Sequence, residues 1–330
     1  MDTRAEAACD WAQSRLEPGP WSIDTIGSDA SPRRYFRLTS AHRSVIVMDA
    51  PAKSPDIPPF IDIQQRLSNA KLHVPDILAT DPNEGLMLLT DLGRHTYLDA
   101  LKDPAARLCL DGALHALCDM QTRVHTDGLD AYDAARLQQE LDLFVDWFLA
   151  HHWLVTPTGV ELEQWRSVCA ELIALAQAQC QVFCHRDFMP RNLMVSEPNP
   201  GIIDFQDALL GPITYDLVSL YMDAFISWPR GDVDAAFETH RRHLIARDVA
   251  VPDSADEWRL WCDAMSIQRH LKVIGIFARI AYRDHKPHYL ADTPRFFGYL
   301  GSTLPRLPQL SALQDLIDGW QRRATPKALA

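Results

Sequence analysis

The sequence contains no run of about 18 apolar residues, so it offers no segment expected to span a membrane. Its opening residues, MDTRAEAACDWAQ, are polar and acidic and lack the apolar stretch of a secretory signal. Basic charge is also in short supply. Against 44 Asp and Glu stand 32 Lys and Arg, a net charge of −12. That balance argues against nucleic acid or an anionic membrane as partner, because neutralising phosphates takes Lys and Arg. A local basic site for an anionic ligand stays open. Cysteine is present but unpatterned. The seven, at positions 9, 109, 118, 169, 180, 184 and 262, are odd in number and irregularly spaced. Buried reduced thiols are expected. Cys180, Cys184 and His185 have no second Cys/His pair at ligand spacing, which argues against zinc. No internal repeat or low-complexity run is visible. These absences predict a cytoplasmic protein, with neither nucleic acid nor membrane as partner. None of them bears on oligomeric state.

What is present is an ordinary globular composition, 47% hydrophobic and 23% charged over 330 residues. That length suffices for one large domain or two lobes. Residues 21–92 read as strand-rich. WSIDTIG, RYFRLTS and SVIVMDAP are short strand-like pieces, with a hairpin turn at HRS, and a DPNEG turn divides two more apolar runs. PPFIDIQQRLSNAKL between them reads as a helix opened by prolines, after a Pro-rich surface loop at 51–59. From about residue 95 the apolar spacing turns helical. Leu137, Leu141, Phe144 and Phe148 form one stripe, Leu162, Trp165, Val168, Leu172 and Leu175 a second, and Leu260 to Ala281 a longer third. Core packing is the default reading of each. Residues 321–330 are expected to be a frayed tail. The expected fold class is α+β. A short N-terminal helix precedes a small antiparallel-sheet lobe within 1–92, and a mostly helical lobe spans 93–330.

One segment interrupts the helical pattern. FCHRDFMPRNLMVSEPNPGIIDFQDA, from Phe183 to Ala208, sets His185, Asp187, Asn192 and Asp204 among short apolar pieces. Burying carboxylates there costs several kcal/mol unless partners or a metal compensate, on the order of the usual desolvation penalty. Phosphoryl transfer from ATP needs a carboxylate to orient the attacking hydroxyl and oxygen ligands to hold Mg²⁺ on the phosphates. The run His185-Arg186-Asp187 with Asn192 five positions beyond Asp187, and Asp204 twelve beyond Asn192, matches the H-R-D-x-x-x-x-N and D-F pattern of such enzymes. Two hard oxygen ligands suit Mg²⁺, which rarely uses an all-protein cage. A turn capped by Asx side chains would account for one or two of these residues, not for the joint pattern.

At HRDFMPRNLM, IIDFQDA and GPITYDLVSLYMDA the sequence resembles the aminoglycoside phosphotransferase-type kinases, relatives of protein kinases that phosphorylate small molecules. The resemblance covers roughly residues 20–300 and implies a bilobal protein-kinase-like fold. It implies ATP and Mg²⁺ as cofactors, with Asp187 as catalytic base, Asn192 and Asp204 as metal ligands, and Asp216 and His185 as supports of the catalytic loop. LLTDLG, with Leu89 and Asp91, would be the nucleotide-side hinge. GSDASPRRYFRL, VIVMDAP, LLTDLG and GIFARIAYRDHKPHYLAD carry a narrower similarity, to the bacterial kinases of cell-wall recycling that act on the anomeric hydroxyl of N-acetylmuramate and N-acetylglucosamine. That similarity implies an amino sugar as partner. Other hydroxyl acceptors, such as an aminoglycoside, choline or homoserine, stay open, as does a catalytically silent nucleotide-binding module.

Two departures stand out. Met48 occupies about the place of the usual phosphate-binding Lys. Arg33 or Arg34 is the expected replacement, with Ser31 in the preceding turn on the nucleotide side. Gln206 replaces the Gly that follows Asp-Phe in protein kinases, which suggests a fixed, constitutively assembled site. On the acceptor side, Asp223 and Trp228 could meet a sugar by hydrogen bond and stacking. Tyr282 and Arg283, with Arg279, His285 and Lys286, form a cluster suited to a carboxylate, though a cationic helix C-terminus would look the same.

Overall fold

A computed structural model describes residues 2–27, 33–55, 57–103 and 109–325. The chain divides into two compact units, Met1–His125 with Pro190–Ala208, and Thr126–Met189 with Leu209–Ala330. Its path leaves the second unit for the first within the H-R-D-x-x-x-x-N loop, after Met189.

The first unit begins with helix α1 (Thr3–Gln13), capped by the Asp2 carboxylate on the Ala5 N–H. Strands β1 (Ser22–Ile26), β2 (Arg34–Thr39) and β3 (Ser44–Asp49) follow as antiparallel neighbours. Helix α2 (Ile57–Asn69) leads to β4 (Ile77–Asp81) and β5 (Leu86–Thr90). The five strands make one sheet in the order β1-β2-β3-β5-β4. Ala5, Ala8, Cys9 and Ala12 of α1 pack on Phe36, Leu38, Val45, Val47, Leu86 and Leu88. Small side chains on α1 therefore let it lie close over the sheet. Short α3 (Tyr97–Ala100) and α4 (Cys109–Arg123) complete this stretch. The Pro-rich loop expected over 51–59 is shorter, because α2 begins at Ile57 and takes Pro58 and Pro59 into its first turn, where a missing N–H is harmless.

The second unit opens with α5 (Ala134–Leu143). The apolar stripe expected to continue as one α-helix changes to a π-helical stretch at Phe144–Trp153. The wider turn brings Trp153 against Phe148 and Phe297, at ring separations of 4.8 and 5.3 Å. Helix α6 (Gly159–Gln177) starts with a Thr158/Glu161 capping box. Strand β6 (Gln181–Cys184) precedes the first-unit strands β7 (Leu193–Met194) and β8 (Gly201–Ile202). Back in the second unit come β9 (Leu209–Pro212), α7 (Tyr215–Tyr221), α8 (Arg230–Ile245), α9 (Ala255–Arg283), α10 (Thr293–Thr303) and α11 (Ser311–Arg323). The third apolar stripe is α9. Gly275 is where α9 meets the junction of α5 and the π stretch. A Cβ there would stand 2.4–2.6 Å from Leu143 and Phe144 backbone atoms.

β6 pairs with β9, while Leu193–Met194 pairs with Gly201–Ile202. One further expectation changes. The expected tail from 321 is helical through Arg323, because Leu313, Leu316, Ile317 and Trp320 bury one face of α11. No helix among the described residues is long and apolar enough to cross a membrane.

Candidate active site

In the second unit, β6 delivers the chain to a buried His185. Asp216, in the first turn of α7 and 1% exposed, accepts from the His185 N–H at 2.6 Å and the Arg186 N–H at 2.9 Å. Those bonds fix a strained turn. Arg186 has φ +76°, a left-handed conformation that costs a residue with Cβ about 1–2 kcal/mol. Burial pushes the Asp216 carboxyl up, while His185 and the two amides pull it down. Asp187 follows, half-buried, with its N–H donating to His185 Nδ1 at 3.3 Å. The Met189 N–H closes the turn on the Asp187 carbonyl at 2.9 Å.

In the first unit, Asn192 ends a short 3₁₀ turn and accepts the Ile203 N–H on its carbonyl at 3.1 Å. That bond extends the β7–β8 pairing and carries Asp204 to the Asn192 side chain. Asn192 Nδ2 lies 3.5 Å from Asp204 Oδ2. Arg33 Nη2 lies 3.6 Å from Asp204 Oδ1. Gln206 Nε2 donates to Asp204 Oδ1 and Asp207 Oδ2, each at 3.1 Å. Asp204 itself has φ +65°. Phe205 is fully buried against Phe60 of α2, at a ring separation of 4.8 Å. So the Asp204 backbone is anchored by Phe205 and its carboxylate steered by Gln206, yet the side chain stays 44% exposed.

A family model described as "Phosphotransferase enzyme family" matches residues 22–258. The chain belongs to this phosphotransferase family. A protein of Pseudomonas aeruginosa named N-acetylmuramate/N-acetylglucosamine kinase is 48% identical over 301 residues, covering 91% of this chain and 89% of its own length. A protein of Pseudomonas putida with the same name is 43% identical over 296 residues, covering 90% and 87%. Among solved structures, an ADP-bound aminoglycoside phosphotransferase superposes with a TM-score of 0.61 at 13% identity, covering 91% of this chain and 98% of its own. That likeness carries the fold alone: a protein-kinase-like phosphotransferase with a small antiparallel sheet and a mostly helical remainder.

Within this phosphotransferase the expected site residues fall into groups. Arg33, Asn192 and Asp204 come together, as do His185, Asp187 and Asp216. Arg34 is placed elsewhere. Its guanidinium pairs with Asp49 and Asp2, and Arg4 Nε meets the other Asp49 oxygen at 2.8 Å. Arg34 thus ties α1 to β3. Met48 is fully buried between Tyr35 and Met87. Leu89 is buried in β5. Asp91 binds Arg37 through both oxygens, at 2.7 and 3.1 Å, and accepts the Gly93 N–H at 3.0 Å. Although burial opposes it, Arg37 and these donors hold the Asp91 carboxyl below its ordinary range. Gly93 has φ +109°, which only glycine adopts easily. Ser31 lies outside the described residues.

The acceptor-side candidates also separate. Asp223 Oδ1 accepts the Phe225 and Ile226 N–H groups at 2.9 and 2.8 Å. Its Oδ2 is buried with no hydrogen-bond partner among the described residues. Burial raises this carboxyl to about 6. Beside it, Tyr299 donates to the Asp223 and Ile226 carbonyls at 3.3 and 3.2 Å, and Arg295 reaches Ser227 Oγ at 2.6 Å. Trp228 is half-buried on the same loop. Tyr282 OH meets His152 Nδ1 at 3.0 Å, and Arg283, 55% exposed, is paired to Asp284 at 2.7 Å.

Sequence reasoning missed a buried polar cluster beside the loop. Glu140 Oε1 takes Arg186 Nη2 at 2.8 Å and Lys272 Nζ at 3.0 Å. Its Oε2 takes the Tyr132 hydroxyl and, at 3.5 Å, Gln268 Nε2. Lys272 Nζ also donates to Tyr215 OH at 2.8 Å. The available signal was placement. Glu140 falls on the inward stripe between Leu137 and Phe144, and Gln268 and Lys272 each follow an apolar member of the α9 stripe.

Proposed function

We propose that this phosphotransferase transfers the γ-phosphoryl group of ATP to the anomeric hydroxyl of an amino sugar, N-acetylmuramate or N-acetylglucosamine, in cell-wall recycling. The observation that carries the chemistry is the convergence of the Asn192 amide and the Asp204 carboxylate, with Arg33 at the second Asp204 oxygen. The identity of the acceptor rests on the relatives' names and on the extent of likeness to them.

The donor set fits magnesium. It offers one half-exposed carboxylate and one amide oxygen, the hard ligands that leave room for phosphate oxygens and water. When bound there, the ion would neutralise charge on the phosphate oxygens. The residues of the chain do the rest. Asp187 accepts a hydrogen bond from the acceptor hydroxyl and aims its oxygen at the γ-phosphorus. A new oxygen–phosphorus bond forms as the bond from the γ-phosphorus to the bridging oxygen of ADP breaks, and the hydroxyl proton passes to Asp187. Arg33 offers the cation that Met48 cannot, and Gln206 holds Asp204 in one orientation. Leu89, Asp91 and Ser31 belong to the nucleotide side, Asp91 acting through its clamp on Arg37. Asp223 and Trp228 are assigned to the sugar, and Tyr282 and Arg283 to a carboxylate substituent.

Incubation with Mg-ATP and either amino sugar, followed by mass detection, should yield the sugar 1-phosphate. Phosphorylation of only a different hydroxyl compound would overturn the acceptor and leave the phosphotransferase. No ATP consumption with any acceptor would leave only a nucleotide-binding module.

A further inference from the structure

We propose that Glu140 and Lys272 are positioning residues for the reaction, forming with Arg186 a buried ionic clamp that holds the adjacent Asp187 in its working orientation. The proposal rests on the catalytic role of Asp187 given above.

The clamp joins three elements of one unit. Glu140 comes from α5, Lys272 from α9 and Arg186 from the loop that follows β6. All three are largely removed from water, with side chains 10%, 9% and 23% exposed. Buried charges persist only when paired with good geometry. Every charged group here has such a partner. One carboxylate receives two cations at 2.8 and 3.0 Å, a tyrosine hydroxyl and an amide. Although burial opposes it, Lys272 and Arg186 hold the Glu140 carboxyl below its ordinary range.

The arithmetic of charge points outward from the clamp. Two cations and one anion leave the contacting trio with one positive charge in excess. Asp187 supplies a second negative charge within range of both Lys272 and Arg186. The cations therefore attract the Asp187 carboxylate, while Glu140 limits how strongly they do so. Without Glu140, two uncompensated cations would draw Asp187 toward themselves and away from an acceptor hydroxyl. Without Lys272, Glu140 would face Asp187 with less cationic cover. Rigid positioning of this kind is needed because misplacing a reacting group by about 1 Å can cost roughly 10²-fold in rate.

Arg186 also couples the clamp to the backbone. Its own N–H is gripped by Asp216 while its guanidinium is gripped by Glu140, so both ends of the residue preceding Asp187 are fixed. Tyr215 helps to set Lys272, and it precedes Asp216 directly. The same short helix therefore steadies the loop by two routes.

The test is steady-state kinetics on Glu140→Gln, Lys272→Met, the double variant and Tyr215→Phe, with melting curves recorded in parallel. Glu140→Gln should lower kcat by about 10–100-fold while KM for ATP stays within about threefold. The double variant removes one charge of each sign, and it should regain at least about fivefold in kcat over Glu140→Gln. A clamp that served stability alone would shift melting without this split between kcat and KM. Tyr215→Phe keeps the packing and removes one hydrogen bond to Lys272. It should lower kcat by about three- to tenfold, and it decides the matter if Glu140→Gln fails to fold. Unchanged kcat in Tyr215→Phe, or a double variant slower than both single ones, overturns the proposal. Intrinsic ATP hydrolysis, which needs no acceptor, is measured on the same proteins. Wild-type hydrolysis without sugar phosphorylation removes the amino-sugar reading while the clamp is still judged by the variants.

Discussion

Asp204 and Asp216 stand twelve positions apart and are treated by the fold in opposite ways. Asp216 is 1% exposed, and each of its oxygens accepts a backbone N–H of the catalytic loop. Asp204 has a side chain 44% exposed, steered from one flank by Gln206 and Arg33 and approached on the other oxygen, among the described residues, by an amide at 3.5 Å. One carboxylate has its bonding completed within the protein. The other is oriented but left open to solvent. The difference offers a way to sort acids in a single motif: under the proposed roles, the support residue is saturated by the chain, whereas the metal ligand is aimed and then left accessible.

The sharpest way to break that comparison is to remove each acid in turn. Asp204→Ala should abolish magnesium-dependent turnover yet change folding stability by no more than about 0.5 kcal/mol, as for an accessible side chain. Metal titration of activity and a melting curve check both parts. Asp187→Asn should lower kcat by about 10²–10⁴-fold with ATP affinity nearly unchanged, measured by turnover and calorimetric titration. Asp216→Ala should differ from Asp204→Ala in its effect on stability. It orphans two buried N–H groups and should cost roughly 2–4 kcal/mol in denaturant unfolding. A variant of Asp216 that melts like wild type would remove the distinction between saturated and open acids.

The two arginines sharpen the same contrast at smaller scale. Arg33→Ala should raise KM for ATP by about tenfold, as expected for loss of one charge-assisted contact. Arg34→Ala should leave KM for ATP unchanged and lower the melting temperature, because its partners Asp49 and Asp2 belong to the attachment of α1. A last test concerns Asp223, whose carboxyl burial raises from 3.8 to about 6. A carboxyl that holds its proton more tightly when folded adds no penalty at low pH. It costs stability as pH rises from 3.8 through about 6. Asp223→Asn should therefore melt higher than wild type near neutral pH, by at most about 3 kcal/mol, and show no gain near pH 4.

Much of the site was legible because its spacing is local. The run from His185 to Asn192, and Asp204 beyond it, is fixed by a short chain path, so residue type and separation were enough. The strands of 21–92 and the stripe of α9 were legible for the same reason, since periodicity is a local property. Three things were not. The pairing of β6 with β9 joins segments whose intervening residues leave for the other unit, and no pattern within either strand records that. The choice between Arg33 and Arg34 depends on which side of β2 each side chain takes, and neighbouring arginines look alike in sequence. The Glu140–Lys272 pair spans 132 positions, from 140 to 272, and its members sit on stripes otherwise read as plain core.

The buried Met48 has a practical consequence for chemical proteomics. Nucleotide reagents that acylate the amine beside bound ATP find none on β3, where the residues are Ser-Val-Ile-Val-Met-Asp. A survey that reports on the amine of that strand would find no such group to label here.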